Sequence, residues 1–303
     1  MAETALDLFS AAVSPHGARI AGLPPLVLLF GGSLRPEKLS ARQLFLNWLY
    51  VKKPALAAQF RTPEQFEDWN TYQGYSNLVD FEIDAGNLTR VIVLFSESEG
   101  AYAELGAFSM DASLSERLFV VISKEHYDAP SFIANGPIKK IDIEDSQSVC
   151  IVDSLDPNSV SNEFESVVAA LEEKLQTAPR SPVFKKGRRR DQFLLAADLV
   201  DLFGAITANE LHELMKFMEI DLDRSELEII TSQLKRFELI EYVPGTSKRF
   251  FVPPKQRHPF INYAGVSADV KFERSRFKIL KAQPWLIKEA QRLKAYNSIH
   301  GKS

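Results

Sequence analysis

The chain predicts an α/β fold, a Rossmann-like parallel sheet followed by a winged-helix-type α+β domain at the C-terminus. Three observations carry this. Apolar runs within residues 24–34, Val91–Phe95 and Leu118–Ile122 alternate with stretches of helical periodicity, as buried parallel strands joined by crossover helices do. The charge divides along the chain: residues 1–179 carry 13 Lys and Arg against 25 Asp and Glu, net −12, and residues 180–303 carry 23 against 15, net +8. With 303 residues, two domains are the natural prior, each large enough to bury a core.

Composition excludes several classes. No run of about eighteen apolar residues is present, so no membrane span is expected. Glu3 and Asp7 occupy the first twelve residues without a basic segment, which argues against a secretory signal. The single cysteine, Cys150, leaves no intrachain disulfide and no cysteine zinc site, and the five histidines lack ligand spacing. A cytoplasmic protein without a cofactor or metal is the expectation.

The first strand ends in Gly31-Gly32-Ser33, where glycines allow a tight turn and close approach to a phosphate or sugar; a plain turn is the alternative. Residues 40–51 have helical periodicity with Ser40 as N-cap, and residues 63–73 and 77–89 read as further helices. The strand Val91–Phe95 stops in a polar loop, Ser96–Gly100, and restarts as a helix bearing Glu104. Ligands of open α/β sheets sit just beyond the carboxyl ends of the strands. Glu104 is therefore placed at such a crevice as a candidate nucleophilic carboxylate, against a helix-capping role. Strand 148–152 and an amphipathic helix 162–176 complete a first domain, residues 1–178.

At Thr177–Pro182 the pattern breaks. Arg180–Arg190 holds six basic residues and no acid, and 179–190 reads as a basic linker. Helical patterns follow at 191–203, 207–218 and 224–238, then two short apolar strands, 239–243 and 249–252, around Pro244-Gly245. Three helices and a hairpin make the winged-helix reading of residues 191–303. Lys185, Lys186, Arg188, Arg189 and Arg190, with Lys235 and Arg236 on the third helix, are the candidate contacts to nucleic acid or a partner protein. The tail Lys271–Lys294 has eight basic residues against two acids, interleaved with Phe272, Phe277 and Trp285; core packing is the preferred role of each ring, base stacking the alternative.

Leu29–Ser33, Val91–Gly100, Ala103–Ser109 and Ser131–Pro137, in that order, resemble the nucleoside 2-deoxyribosyltransferase-like effector proteins encoded beside retron reverse transcriptases. The resemblance covers roughly residues 25–140; for the C-terminal part it is one of architecture alone. It implies cleavage of an N-glycosidic bond with Glu104 as nucleophile. It also implies anti-phage activity through loss of NAD⁺, and as partners a reverse transcriptase with its multicopy single-stranded DNA and non-coding RNA in an oligomeric complex. Around Glu104, candidate supporting residues are Glu82 as a second catalytic acid, Gly31, Gly32, Ser33 and Gly100 along the backbone, Tyr102 against the base, and Asn135 at the rim. Glu97 and Glu99 are expected on the surface. The loop before Glu104 offers no clear second carboxylate, and this favours NAD⁺ as substrate: nicotinamide is already cationic and leaves neutral, whereas a purine needs a proton. A nucleoside or nucleotide substrate is the alternative, and a nucleotide-sensing DNA-binding regulator the second.

Overall fold

A five-stranded, all-parallel sheet forms the frame of residues 25–178, in a computed structural model that describes residues 3–35, 39–66, 74–176, 183–246, 248–267 and 269–301. Its strands are β1 (Val27–Phe30), β2 (Phe60–Arg61), β3 (Val91–Phe95), β4 (Leu118–Ser123) and β5 (Val149–Val152), in the spatial order β2-β1-β3-β4-β5. Val27 to Phe30 pair in step with Val91 to Leu94, and Ile92 to Phe95 with Leu118 to Val121. The order reverses between β1 and β3, because the chain leaves β1 toward one edge through β2 and returns to lay β3 on the other side. That reversal opens a crevice beyond the carboxyl ends of these two strands.

The central strands are buried along their whole length, and apolar but for Ser123 at the end of β4, because helices cover both faces. One face carries α1 (Ala41–Lys52) and a helix at Phe164–Gln176: Phe45, Leu49, Phe164, Val168 and Leu171 pack on Leu29, Val93, Phe95, Phe119 and Val121. On the other, Phe108 of α3 (Glu99–Met110) meets Phe30 edge-on at 5.0 Å between ring centres. Asn77 caps α2 (Leu78–Asn87), which buries Phe81 and Ala85.

Two expectations for this region change. β2 is an edge strand of only two residues, too short to show a period in sequence. The helix expected over 63–73 is a single 3₁₀ turn, Pro63–Gln65, after which Phe66 is extended; its remainder lies outside the described residues.

Residues 1–24 form a compact unit with 179–303 rather than with the sheet, where the sequence reading had grouped them. Arg19–Ile20 pairs antiparallel with Ile261–Asn262, and Phe9 packs its ring against Phe203, Phe217 and Tyr263. In this unit α4 (Arg189–Phe203), α5 (Ala208–Phe217) and α6 (Arg224–Arg236) precede a two-stranded hairpin, Glu241–Pro244 with Arg249–Val252. Thr207 and Asp223 cap α5 and α6 through capping boxes with Glu210 and Glu226. Phe272, Phe277 and Trp285 join the aromatic packing around Phe203 and Tyr263. No helix of the described residues is long and apolar enough to cross a membrane.

Candidate active site

The crevice between the ends of β1 and β3 is built by one carboxylate. Glu97, the second residue after β3, accepts the backbone N–H of Gly32 at 2.9 Å, of Ala41 at 2.7 Å and of Arg42 at 3.0 Å. It thereby ties the glycine turn after β1 to the start of α1, where unpaired amides and the helix dipole favour an anion. Glu97 is expected on the surface; three charge-assisted bonds to backbone hold it half-buried instead. The glycines serve the same junction. A Cβ on Gly31, at φ +149°, would fall 2.9 Å from Phe95 Cβ, and one on Gly32 2.7 Å from Ser40 Cβ. The Gly32 amide is thus taken by Glu97, and the space beside both glycines is filled by protein.

Behind this junction lies a charge cluster. Arg42 is 3% exposed and stands in the core register of α1, one turn ahead of Phe45 and Leu46 and two ahead of Leu49. Its guanidinium bonds Glu64 through both terminal nitrogens, at 2.9 and 2.7 Å, and the Gly32 carbonyl at 3.2 Å. Two further carboxyls feel this guanidinium: Glu82 from α2 and Glu104 from α3. Ala101, Leu105 and Phe108 anchor α3, and Glu104 flanks that stripe half-buried, with its Oε2 buried and lacking a hydrogen-bond partner among the described residues.

The two carboxyls differ in surroundings. Burial pushes Glu82 up to about 8; the charges of Glu104 and then Glu64 add to the rise and Arg42 opposes it. Burial pushes Glu104 up to about 7, with Arg42 the main opposing influence and Glu64 adding. Two acids that share one charge cluster cannot both ionise cheaply, and both are held above the usual carboxylate range.

The remaining sequence candidates lie as follows. Gly100 opens the first turn of α3, with nothing near the position a Cβ would take. Tyr102 is half-buried, its ring 6.3 Å from that of His126, and burial raises its hydroxyl pKa. Ser33 Oγ accepts from the Arg35 amide at 3.1 Å. Asn135 is exposed, its amide donating to the Ser131 carbonyl at 3.1 Å. The structure brings Glu82 and Glu104 together with three residues the sequence reading did not select: Arg42, Glu64 and Glu97. The signal for Arg42 was present, a cation in the apolar stripe of a helix.

The basic candidates divide. Arg190 is 2% exposed and paired with the fully buried Asp191 at 2.6 Å, Lys186 contacts Glu219 and His16, and Arg189 stacks on Phe193 at 5.0 Å. Lys185 is exposed, Arg188 occupies the N-cap position of α4, Lys235 lies 5.0 Å over Tyr242 and Arg236 is half-buried in the last turn of α6.

A parallel-sheet domain with a carboxyl pair at its topological switch point defines the class. Within it, residues 38–242 match the family described as STM3845 retron effector protein, and the chain belongs to that family. It is 30% identical over 147 residues to the "Retron Ec73 putative ribosyltransferase/DNA-binding protein" of Escherichia coli, covering 48% of this chain and 46% of that protein. It is 33% identical over 90 residues to the "Retron Ec86 putative ribosyltransferase/DNA-binding protein" of Escherichia coli, covering 30% of this chain and 29% of that protein. The matches span less than half the length of either relative.

Proposed function

We propose that the sheet domain of this retron effector cleaves an N-glycosidic bond, with NAD⁺ as substrate. The observation that carries this is the pair of carboxyls, Glu82 and Glu104, in one charge cluster with Arg42 and Glu64 at the switch-point crevice, both pushed above the usual carboxylate range by burial. The glycosyl-transfer chemistry in the names of the two Escherichia coli relatives supports it. The Glu104 carboxylate attacks the anomeric carbon as the bond to the base breaks, and the bonding electron pair leaves with the base. Water then attacks the anomeric carbon of the glycosyl ester and the ester's bonding pair returns to Glu104; the water's proton passes to Glu82 where that acid has protonated the departing base, and otherwise through Glu104 to solvent, which restores the carboxylate. Tyr102, Gly100, Ser33 and Asn135 form the wall and rim against which the nucleotide lies.

A specific observation favours a second reading. Burial pushes Glu82 up to about 8, which suits it to be the general acid that a purine leaving group requires. A nucleoside or nucleotide substrate would use that proton; the cationic nicotinamide of NAD⁺ would not. The C-terminal unit is read as a winged helix: three helices and a hairpin, with Lys185, Arg188, Lys235 and Arg236 toward nucleic acid. Its partners on this reading are a reverse transcriptase and multicopy single-stranded DNA, in a cytoplasmic oligomer that controls the effector.

The purified full chain, with Glu82→Gln, tests the choice of substrate. If NAD⁺ is the substrate, Glu82→Gln keeps nicotinamide release within about tenfold. If a purine nucleoside is, the same change costs about 10²-fold or more in base release. Release from neither by the unaltered chain removes the glycosidase reading.

A further inference from the structure

We propose that His300 and Arg257 form an acid-sensitive latch: the neutral imidazole fastens the end of helix α7 (Ala290–His300) to the loop that leaves the hairpin, and its protonation opens the fastening.

The contacts allow one protonation state. Arg257 Nη2 lies 2.8 Å from His300 Nδ1 and donates to the Tyr296 hydroxyl at 2.6 Å. A guanidinium only donates, so both hydrogens of Nη2 are spent and Nδ1 accepts with its lone pair. The other ring nitrogen, Nε2, lies 3.0 Å from the Pro253 carbonyl, which only accepts, so Nε2 carries the hydrogen. The ring is thereby held from both sides as the neutral Nε2–H tautomer. A second proton has only Nδ1 to occupy. There it would set N–H against N–H and put a cation beside a guanidinium that cannot give up its own charge.

Among the described residues, the charged groups facing the imidazole offer it little relief. Arg257 and Lys255 come from the loop, and Asp201 from α4. The Asp201 oxygens are already taken by Lys278 at 2.9 and 3.0 Å and by Arg274 at 2.6 Å, and Arg257 Nη1 comes no nearer to them than 3.9 Å. α7 itself adds the Tyr296 phenol, whose ring lies 4.4 Å from the imidazole, inclined at 31°. Burial and then Arg257 hold the imidazole below its ordinary value of 6.5, with the Pro253 carbonyl and Asp201 opposing. What the latch secures is the seat of the hairpin. Leu293, Tyr296 and Ile299 of α7 pack on a small core of Ala205, Phe250 and Val252, the last two from the hairpin's second strand. With the latch open, that packing alone holds the helix end, against two adjacent cations.

Imidazole ¹H–¹⁵N spectra and thermal melts of the full chain, from about pH 8 to about pH 5, test this without any substrate. His300→Asn assigns the signal. The expected imidazole is the Nε2–H tautomer, titrating below 6.5. Arg257→Gln removes the cation and should raise that titration by about half a pH unit or more. The unfolded chain takes up this proton more readily than the folded one, so the latch contributes in full above about pH 6.5 and its contribution is lost as pH falls below it. His300→Asn sets an amide oxygen near the Nδ1 position, accepts from Arg257 and does not titrate. Its melting temperature should therefore lie below that of the unaltered chain at pH 8, and the gap should narrow or reverse at pH 5. An Nδ1–H tautomer, a titration at the ordinary value, or a gap that stays constant with pH overturns the proposal. So does an Arg257→Gln chain whose His300 titration stays where it was. Should Arg257→Gln fail to fold, the tautomer and titration of the unaltered chain and the His300→Asn gap decide between the same outcomes.

Discussion

Two clusters of acids, one in each unit, differ in the partners the fold supplies. On α4, Asp198 accepts the amides of Phe260 and Ile261 at 2.8 and 3.1 Å, the Tyr263 hydroxyl at 2.7 Å and Arg274 at 2.8 Å. Asp201, one turn on, takes Arg274 at 2.6 Å and Lys278 at 2.9 and 3.0 Å. Burial pushes Asp201 up, but Lys278 and Arg274 outweigh it and hold its carboxyl below the usual range. In the sheet unit three glutamates face one arginine, and Glu82 and Glu104 rise to about 8 and 7. Burial is common to both clusters, so the supply of partners makes the difference. Acids given every donor they can accept hold a structure together, and acids kept short of donors are held ready for chemistry.

The largest effect that would break this contrast lies on the paired side. Asp198→Ala leaves the Tyr263 hydroxyl and two buried amides without their acceptor, removes one of the two carboxylates that pair Arg274, and should cost about 3–5 kcal/mol, read by urea unfolding. A loss under about 1 kcal/mol would mean that the pairing is not what holds the unit. Glu97 is the carboxylate of the sheet unit that belongs with the paired class, since it accepts three backbone amides. Glu97→Gln should cost about 2 kcal/mol, because a neutral amide oxygen replaces a charged acceptor and cannot span all three donors. An unchanged melt would place Glu97 with the functional acids instead.

Much of the frame could be read from the chain before folding. Val91–Phe95 and Leu118–Ile122 are wholly apolar because helices cover both faces, and such runs are visible without any partner. Ser40 announced the start of α1 by its own capping chemistry. The strand Phe60–Arg61 was not legible, since two residues carry no period, and the grouping of residues 1–24 depends on pairing with residues more than two hundred positions away. In the site, Glu104 stood out because the loop-to-helix transition placed it at a strand end. Glu97 did not: a glutamate in a polar loop looks like any surface acid until the fold brings three amides to it. Arg42 lay between these cases, its position in the apolar stripe visible but its meaning dependent on Glu64, Glu82 and Glu104 from three other elements.

The smallest stability effect expected is a gain, and it comes with the measurement that bears most directly on Glu104. An acid raised from 4.5 to about 7 on folding keeps a proton that the unfolded chain has released. Its contribution is therefore fully present below about pH 4.5 and is lost as pH rises through 7. Glu104→Gln escapes that loss and should be more stable than the unaltered chain by about 1–2 kcal/mol at pH 8, with little difference at pH 4. The decisive experiment follows base release from NAD⁺ and from nucleosides by the full chain and by Glu104→Gln, with melts recorded on the same samples. The expected result is release by the unaltered chain and at least about 10³-fold less by a variant that melts at the same or a higher temperature at pH 8. Equal release by the two, or a variant that loses both activity and stability at pH 8, would contradict the placement of Glu104 as an underpaired, reactive carboxylate.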